Sequence, residues 1–190
     1  MKRDIERTKK QLLEATEKLM TGCSDPAEVT SRAITEAAGV NLAMINYCFG
    51  SREKLLAEVF SQLIGKATAA DNRFGAIMAS ELPPKDKLIE LHVFMLSLML
   101  KNMGIARAVT QYILLERDLQ TGMESLPFVM AHYSGQKSEA ECRLLTFQLT
   151  SLNELAFLKY EELKQSGGVD LADEEQLRRF VTDNISRFLI

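Results

Sequence analysis

The sequence has few of the residues that bend or break a chain. Its 190 residues include four prolines and ten glycines, and no run alternates polar and apolar residues as a half-buried strand would. Apolar residues instead recur at spacings of three and four almost throughout, which predicts an all-helical protein. With 46% hydrophobic residues, the chain can bury a core and form one or two domains.

Cysteine and long apolar runs are also scarce. Cys23, Cys48 and Cys142 are widely spaced, odd in number and form no CxxC pair, which indicates reduced thiols rather than a disulfide framework or a zinc site. The longest strongly apolar run, Val93 to Leu100, is too short to span a bilayer, and the charged N-terminus lacks the apolar segment of a signal peptide. We therefore expect a cytoplasmic protein without a membrane span.

The chain has no excess of basic charge, since its formal net charge is −3. Residues 1–70 carry ten basic and nine acidic side chains, whereas residues 71–190 carry 13 and 17. The first ten residues are the most basic segment, with five basic and two acidic side chains. Binding to nucleic acid would therefore depend on this N-terminal arm and a few placed cations rather than on a broad basic patch.

The segment 30–54 predicts two short helices joined by a glycine turn, followed by a longer helix. Thr30 is a candidate N-cap, Gly39 suits the left-handed conformation that ends the first helix, and Asn41 can cap the second. Ser51 can cap the long helix that continues to about residue 70. This is the arrangement of a helix-turn-helix motif, whose second helix enters the major groove of DNA.

Each short helix of this segment has an apolar face. The residues predicted to face inward are Ala33, Ile34, Ala37 and Ala38 in the first helix and Ile45 and Phe49 in the second. The residues left to face outward in the second helix are Leu42, Ala43, Asn46 and Tyr47.

Two stretches of this region, ITEAAGV from Ile34 and INYCFGSREKLL from Ile45, follow a known pattern. Together with the preceding helix they resemble the tetracycline-repressor (TetR) family of bacterial transcriptional regulators, over about the first third of the chain. The family patterns are I-A-x-x-A-G-V and hydrophobic-Y-x-H-F-x-S-K-E-x-L-L. Thr35, Cys48 and Arg52 are among the positions that depart from them, standing where the family usually has Ala, often His, and Lys.

The resemblance implies an all-α fold of about nine helices. Its expected parts are a helix-turn-helix DNA-binding domain at 1–50, a connecting helix at 51–70, and a ligand-binding and dimerisation domain at 71–190. The implied function is that of a homodimeric repressor in the bacterial cytoplasm, released from a palindromic operator of double-stranded DNA by a small-molecule inducer. The inducer would tilt the connecting helix and change the spacing of the two DNA-reading heads.

The resemblance also assigns candidate DNA contacts. At the start of the first short helix these are Thr30, Ser31 and Arg32, and on the reading face they are Asn41, Leu42, Ala43, Asn46 and Tyr47. Tyr47, Arg52 and Lys54 are the candidate phosphate contacts. Arg32 suits guanine, Asn46 suits adenine, and Leu42 and Ala43 suit thymine methyl groups. Alternatively, Leu42 and Tyr47 are surface or partner contacts.

Residues 71–190 offer candidates for a ligand pocket. These are His92, Met95, Met99 and Met103 on one face of a helix, Arg107 and Gln111 on the next helix, and Phe147. A methionine stripe suits an adaptable pocket, but it suits an ordinary core equally well, with His92 satisfied by its neighbours. Arg107 would bind a carboxylate ligand or pair with Glu116 or Glu154.

Apolar residues cover two faces of the helix predicted from 139 to 164, and the last helix is also amphipathic. The candidate dimer interface is Leu145, Leu149, Leu152, Leu155, Leu158, Val181, Ile185 and Phe188. A helix with two apolar faces needs two partners. The family resemblance implies a four-helix bundle made of two such helices from each subunit, and the two apolar faces are consistent with it. Asp173 and Gln176 have the spacing of a capping box at the start of the last helix.

Other classes of function have less support in the sequence. No Ser/His/Asp, metal-ligand or phosphate-loop constellation is present, so we predict no enzyme activity, cofactor or metal. The alternative function is a TetR-like DNA-binding interaction or architectural protein without a small-molecule inducer. Cys48 is either a packed thiol or a redox switch, depending on its exposure and local charge.

Overall fold

The computed structural model describes residues 2–22, 28–116 and 123–190, and every regular element in these residues is helical. In chain order the helices are α1 (Lys2–Gly22), α2 (Ser31–Ala38), α3 (Ala43–Phe49), α4 (Arg52–Ala70), α5 (Asn72–Ala79), α6 (Pro84–Lys101), α7 (Met103–Glu116), α8 (Leu126–Tyr133), α9 (Glu139–Leu158), α10 (Tyr160–Gly167) and α11 (Glu174–Phe188). The all-α prediction is confirmed. The described residues hold eleven helices where about nine were expected, because α5 and α10 are separate short helices.

The chain divides into two compact units. The first comprises Met1–Ala67 and Asn102–Ile113, and the second comprises Thr68–Lys101 and Leu114–Ile190. The first unit therefore includes a segment far along the chain, which the linear boundaries expected from the sequence do not include. Two predictions lie outside the described residues: the reduced thiol of Cys23 and the end of a helix near residue 119.

The core of the first unit takes at least one fully buried residue from each of its first four helices. Leu12 of α1, Ile34 of α2, Ile45 of α3 and Leu55 of α4 belong to one cluster of buried side chains. The long helix α1 packs against both α2 and α3. This packing holds the two short helices in place, since helices of eight and seven residues are not stable alone.

The buried face of α2 differs from the predicted one at two positions. Ala37 is exposed, whereas Thr35 is buried. The Thr35 hydroxyl donates to the carbonyl oxygens of Ser31 (2.9 Å) and Arg32 (3.1 Å), so its polar group is satisfied within the helix. Burial of this threonine therefore does not leave an unpaired donor, and the predicted inward position of Ala37 is wrong.

Helix α6 is the central element of the second unit and contacts α5, α8, α9 and α11. It begins at Pro84, as the sequence predicted, because proline lacks the amide hydrogen that a first helical turn does not need. Its buried residues are Leu88, Ile89, Leu91, His92, Val93, Phe94 and Leu96. None of the described helices is long and apolar enough to cross a membrane.

The C-terminal helices correct two predictions of local structure. The helix predicted from 139 to 164 is interrupted at Lys159, which separates α9 from α10. At the start of α11 the Asp173 side chain accepts a hydrogen bond from the backbone amide of Gln176 (2.9 Å), as predicted. The Gln176 side chain instead accepts from the Asp170 amide (2.9 Å), so the reciprocal half of the capping box is not formed.

Candidate nucleic-acid interface

The turn between α2 and α3 has the geometry that the sequence predicted. The Thr30 hydroxyl accepts a hydrogen bond from the Ala33 amide (3.1 Å) and caps α2. Gly39 ends that helix with φ of 64°, a left-handed conformation that L-residues adopt only with strain. The Asn41 side chain then accepts from the Ala43 amide (2.9 Å) at the start of α3. These local bonds fix the direction in which α3 leaves the turn.

The outward side of α3 and the two residues before it carry the side chains expected to read DNA. Leu42 is 55% exposed and Tyr47 is 65% exposed, although both are large and the first is entirely apolar. The reading face is the exposed set Asn41, Leu42, Ala43, Asn46 and Tyr47. Opposite it, Ile45 is buried in the core of the first unit. The face is small and combines methyl, amide and phenol groups.

The three candidate contacts at the start of α2 are available to different degrees. Thr30 and Arg32 are exposed, and Ser31 is half-buried. Arg32 forms an ion pair with Glu36 one turn along the helix, with its Nε 3.0 Å from the Glu36 carboxylate. An exposed pair of this kind is weak and can be exchanged for another partner.

The two cations at the start of α4 have different environments. Lys54 is exposed, and its backbone amide is capped by the Ser51 hydroxyl at 3.1 Å, as the sequence predicted. The Arg52 side chain is only 24% exposed. Its Nε donates to the carbonyl oxygen of Val29 (2.7 Å) and its Nη1 donates to Glu53 (3.3 Å). Two donors of the Arg52 guanidinium are thus used inside the protein.

Cys48 lies beside the reading face without belonging to it. The thiol is free and half-buried, and burial raises its pKa above the ordinary value despite the opposing effect of Lys9. A raised pKa reduces the thiolate fraction on which reactivity depends. This environment fits a packed thiol better than a redox switch.

The candidate pocket residues are divided between the two units. His92, Met95, Met99 and Phe147 belong to the second unit, and Met103, Arg107 and Gln111 belong to the first. The methionines and Phe147 are half-buried, whereas Arg107 and Gln111 are exposed. His92 is a satisfied core residue, because both ring nitrogens have hydrogen-bond partners, Ser125 and Asn153. Burial lowers the pKa of His92 to about 4.

Three of the candidate dimer residues are buried inside the second unit and are not available to a second copy of the chain. Leu149, Val181 and Ile185 are at most 1% exposed, since α9 and α11 pack against each other and against α6. The half-buried members of the set are Leu145, Leu152, Leu158 and Phe188. Leu155 is 47% exposed, and so is available for a partner.

The candidate dimer set omitted one exposed leucine of α9. Leu144 is 55% exposed and lies 11 residues before Leu155, which places both side chains on the same side of the helix. The spacing of 11 residues between Leu144 and Leu155 is visible in the sequence and could have identified this exposed face of α9.

Among the described residues, no group of three or more His, Cys, Asp or Glu side chains is placed to hold a metal ion. No protein-family model matches the chain, and no curated protein matches it. Among solved structures the chain is similar to NalD, the secondary repressor of the MexAB-OprM multidrug efflux pump in Pseudomonas aeruginosa. The two chains share 17% sequence identity with a TM-score of 0.48, and the alignment covers 98% of each.

Proposed function

We propose that this protein is a sequence-specific DNA-binding transcriptional regulator that inserts α3 into the major groove. The observation that carries the proposal is the exposed reading face on a short helix whose start is fixed by Gly39 and Asn41. Its large exposed residues, Leu42 and Tyr47, have no role in the core of their own unit. Both side chains are therefore available to contact base edges in a groove.

The reading face has chemistry suited to base edges. The Asn46 amide can donate to and accept from adenine at the same time, and Leu42 and Ala43 offer apolar contact to thymine methyl groups. Arg32 would leave its ion pair with Glu36 to bind guanine. Phosphate contacts would come from Lys54, the Tyr47 hydroxyl and the N-terminus of α4. The small number of cations means that specific contacts contribute more than bulk electrostatic attraction.

The finer parts of the proposal concern pairing and control. A homodimer formed through the exposed side of α9, with Leu144 and Leu155, would present two α3 helices to half-sites of a palindrome about 34 Å apart. We propose that it acts as a repressor in the bacterial cytoplasm. A small-molecule inducer would contact Met95 and Met99 and release it from its operator.

The test is selection of bound duplexes from a random pool, followed by fluorescence anisotropy with an enriched duplex. We expect an enriched palindromic sequence and an affinity that falls steeply with salt. The proposal would be contradicted if the protein enriched no sequence, or if it bound enriched and random duplexes with equal affinity. Retention of duplex affinity in every small-molecule screen would favour the alternative without an inducer.

A further inference from the structure

We propose that Arg52 is a positioning residue of the DNA-binding head rather than one of its phosphate contacts. It would hold the start of α4 at a fixed distance from the start of α2, so that Lys54 reaches a phosphate while Arg32 reaches a base of the same half-site. This inference rests on the proposed function.

The geometry of Arg52 is that of an internal brace. Its Nε donates to the carbonyl oxygen of Val29 at 2.7 Å, across 23 residues of sequence. Val29 is 2% exposed and directly precedes Thr30, the N-cap of α2. Arg52 is itself the first residue of α4. The hydrogen bond therefore joins the two helix starts from which Arg32 and Lys54 extend.

The charge around Arg52 also disfavours a phosphate contact. Nη1 of Arg52 lies 3.3 Å from the Glu53 carboxylate. The pKa of Glu53 is lowered, first by its own backbone amide and further by the hydrogen bond from Arg52, so the carboxylate is ionised at neutral pH. A phosphate approaching Arg52 would meet this negative charge beside a guanidinium that is already partly neutralised. Lys54, two residues later, is exposed.

The fork of the arginine side chain is essential to this role. The guanidinium places Nε and Nη1 in fixed, different directions, which lets one side chain bond Val29 and Glu53 together. A lysine at position 52 keeps the charge, but its single terminal nitrogen cannot make both bonds from the same position. Substitution by lysine therefore distinguishes two roles of Arg52: joining Val29 and Glu53 by hydrogen bonds, which lysine cannot do, and carrying a positive charge, which lysine can.

The experiment compares Arg52→Gln, Arg52→Lys and Lys54→Gln in the full-length protein. Each variant is measured with an enriched duplex and with a random duplex over a salt series, well below its melting temperature. For Arg52→Gln we expect about tenfold weaker binding of the enriched duplex, from loss of a charge-assisted hydrogen bond, with the slope of log affinity against log salt unchanged. Arg52→Lys should also bind the enriched duplex more weakly. Lys54→Gln, the matched control, should lower the slope by about 0.9.

Several results would overturn the inference. These are a salt slope lowered by about one in Arg52→Gln, full affinity in that variant, or wild-type affinity in Arg52→Lys. A merely structural role would lower the melting temperature and leave affinity for the enriched duplex unchanged, which also contradicts it. If Arg52→Gln does not fold, Arg52→Lys decides the question. Failure of the wild-type protein to enrich any duplex overturns the proposed function, and this inference with it.

Discussion

Nε2 of His92 lies 2.9 Å from the Ser125 hydroxyl, while Nδ1 of the same ring accepts a hydrogen bond from the Asn153 side-chain amide. Because the amide nitrogen can only donate, the ring proton belongs on Nε2, which donates to Ser125. The neutral imidazole thus connects α6, the residue before α8, and α9. Protonation of Nδ1 would replace its hydrogen bond with a contact between two donors.

The stability of the protein should fall as the pH is lowered from about 6.5 towards 4. Burial lowers the pKa of His92 from the ordinary 6.5 to about 4, so within this window the unfolded chain binds a proton that the folded chain excludes. The free energy of unfolding should therefore fall by on the order of 1 kcal/mol for each unit of pH near the middle of this window, with the full contribution present above pH 6.5. Urea unfolding across the window measures the slope.

Two variants assign this pH dependence to one histidine. His92→Gln should reduce the slope between pH 6.5 and 5, above the range in which most carboxylates titrate. His132→Gln, at the half-buried second histidine, should keep it. An unchanged slope in His92→Gln would show that other groups cause the pH dependence.

Replacement of Gly39 by alanine should destabilise the first unit by about 1 kcal/mol. No atom lies within 4 Å of the position of the added Cβ, so the cost comes from the positive φ alone. Thermal or urea unfolding gives the change. The matched control is Gly65→Ala within α4, where the Cβ also meets nothing within 4 Å, and which should be neutral or stabilising. Equal stability of Gly39→Ala and wild type would contradict the strained turn.

Removal of the Asn46 side chain should weaken binding of an enriched duplex about tenfold and relax the base preference at one position. Because Asn46 is exposed, the melting temperature should not change. Anisotropy with the enriched duplex and its single-base variants gives both quantities. Gln62→Ala, at an exposed position of α4 outside the reading face, is the control and should bind as wild type. Undiminished discrimination in Asn46→Ala would remove this residue from the base contacts.

A charge at Leu155 should prevent pairing of the chains without unfolding them. Leu155→Glu puts a carboxylate on the exposed side of α9, where burial against a second copy would be costly. Light scattering after size-exclusion chromatography should give a dimeric wild type and a monomeric variant. Leu82→Glu, at another exposed leucine between α5 and α6, should remain dimeric. A dimeric Leu155→Glu protein would place the interface elsewhere.

The sequence determined the local structure of the DNA-binding head because the signals there are short-range. Thr30, Gly39 and Ser51 each act on backbone groups within three or four residues and have the roles that were predicted for them. Asn41 bonds the backbone amide of Ala43, as a local signal should, but the N-cap position of α3 is Leu42, one residue later than predicted. The two faces of α3 follow from helical periodicity in the same way, with Ile45 inward and Tyr47 outward.

The tertiary structure alone decided which apolar faces are used within the protein and which polar groups are already engaged. Leu149 and Leu155 are both leucines of one helix, and only the packing of α9 on its neighbours buries the first and exposes the second. The motif predicts Arg52 as a phosphate contact, and it gives no sign of the hydrogen bond that Arg52 makes to Val29, 23 residues away. Burial and long-range hydrogen bonds depend on distances between segments, and a residue pattern along the chain does not contain those distances.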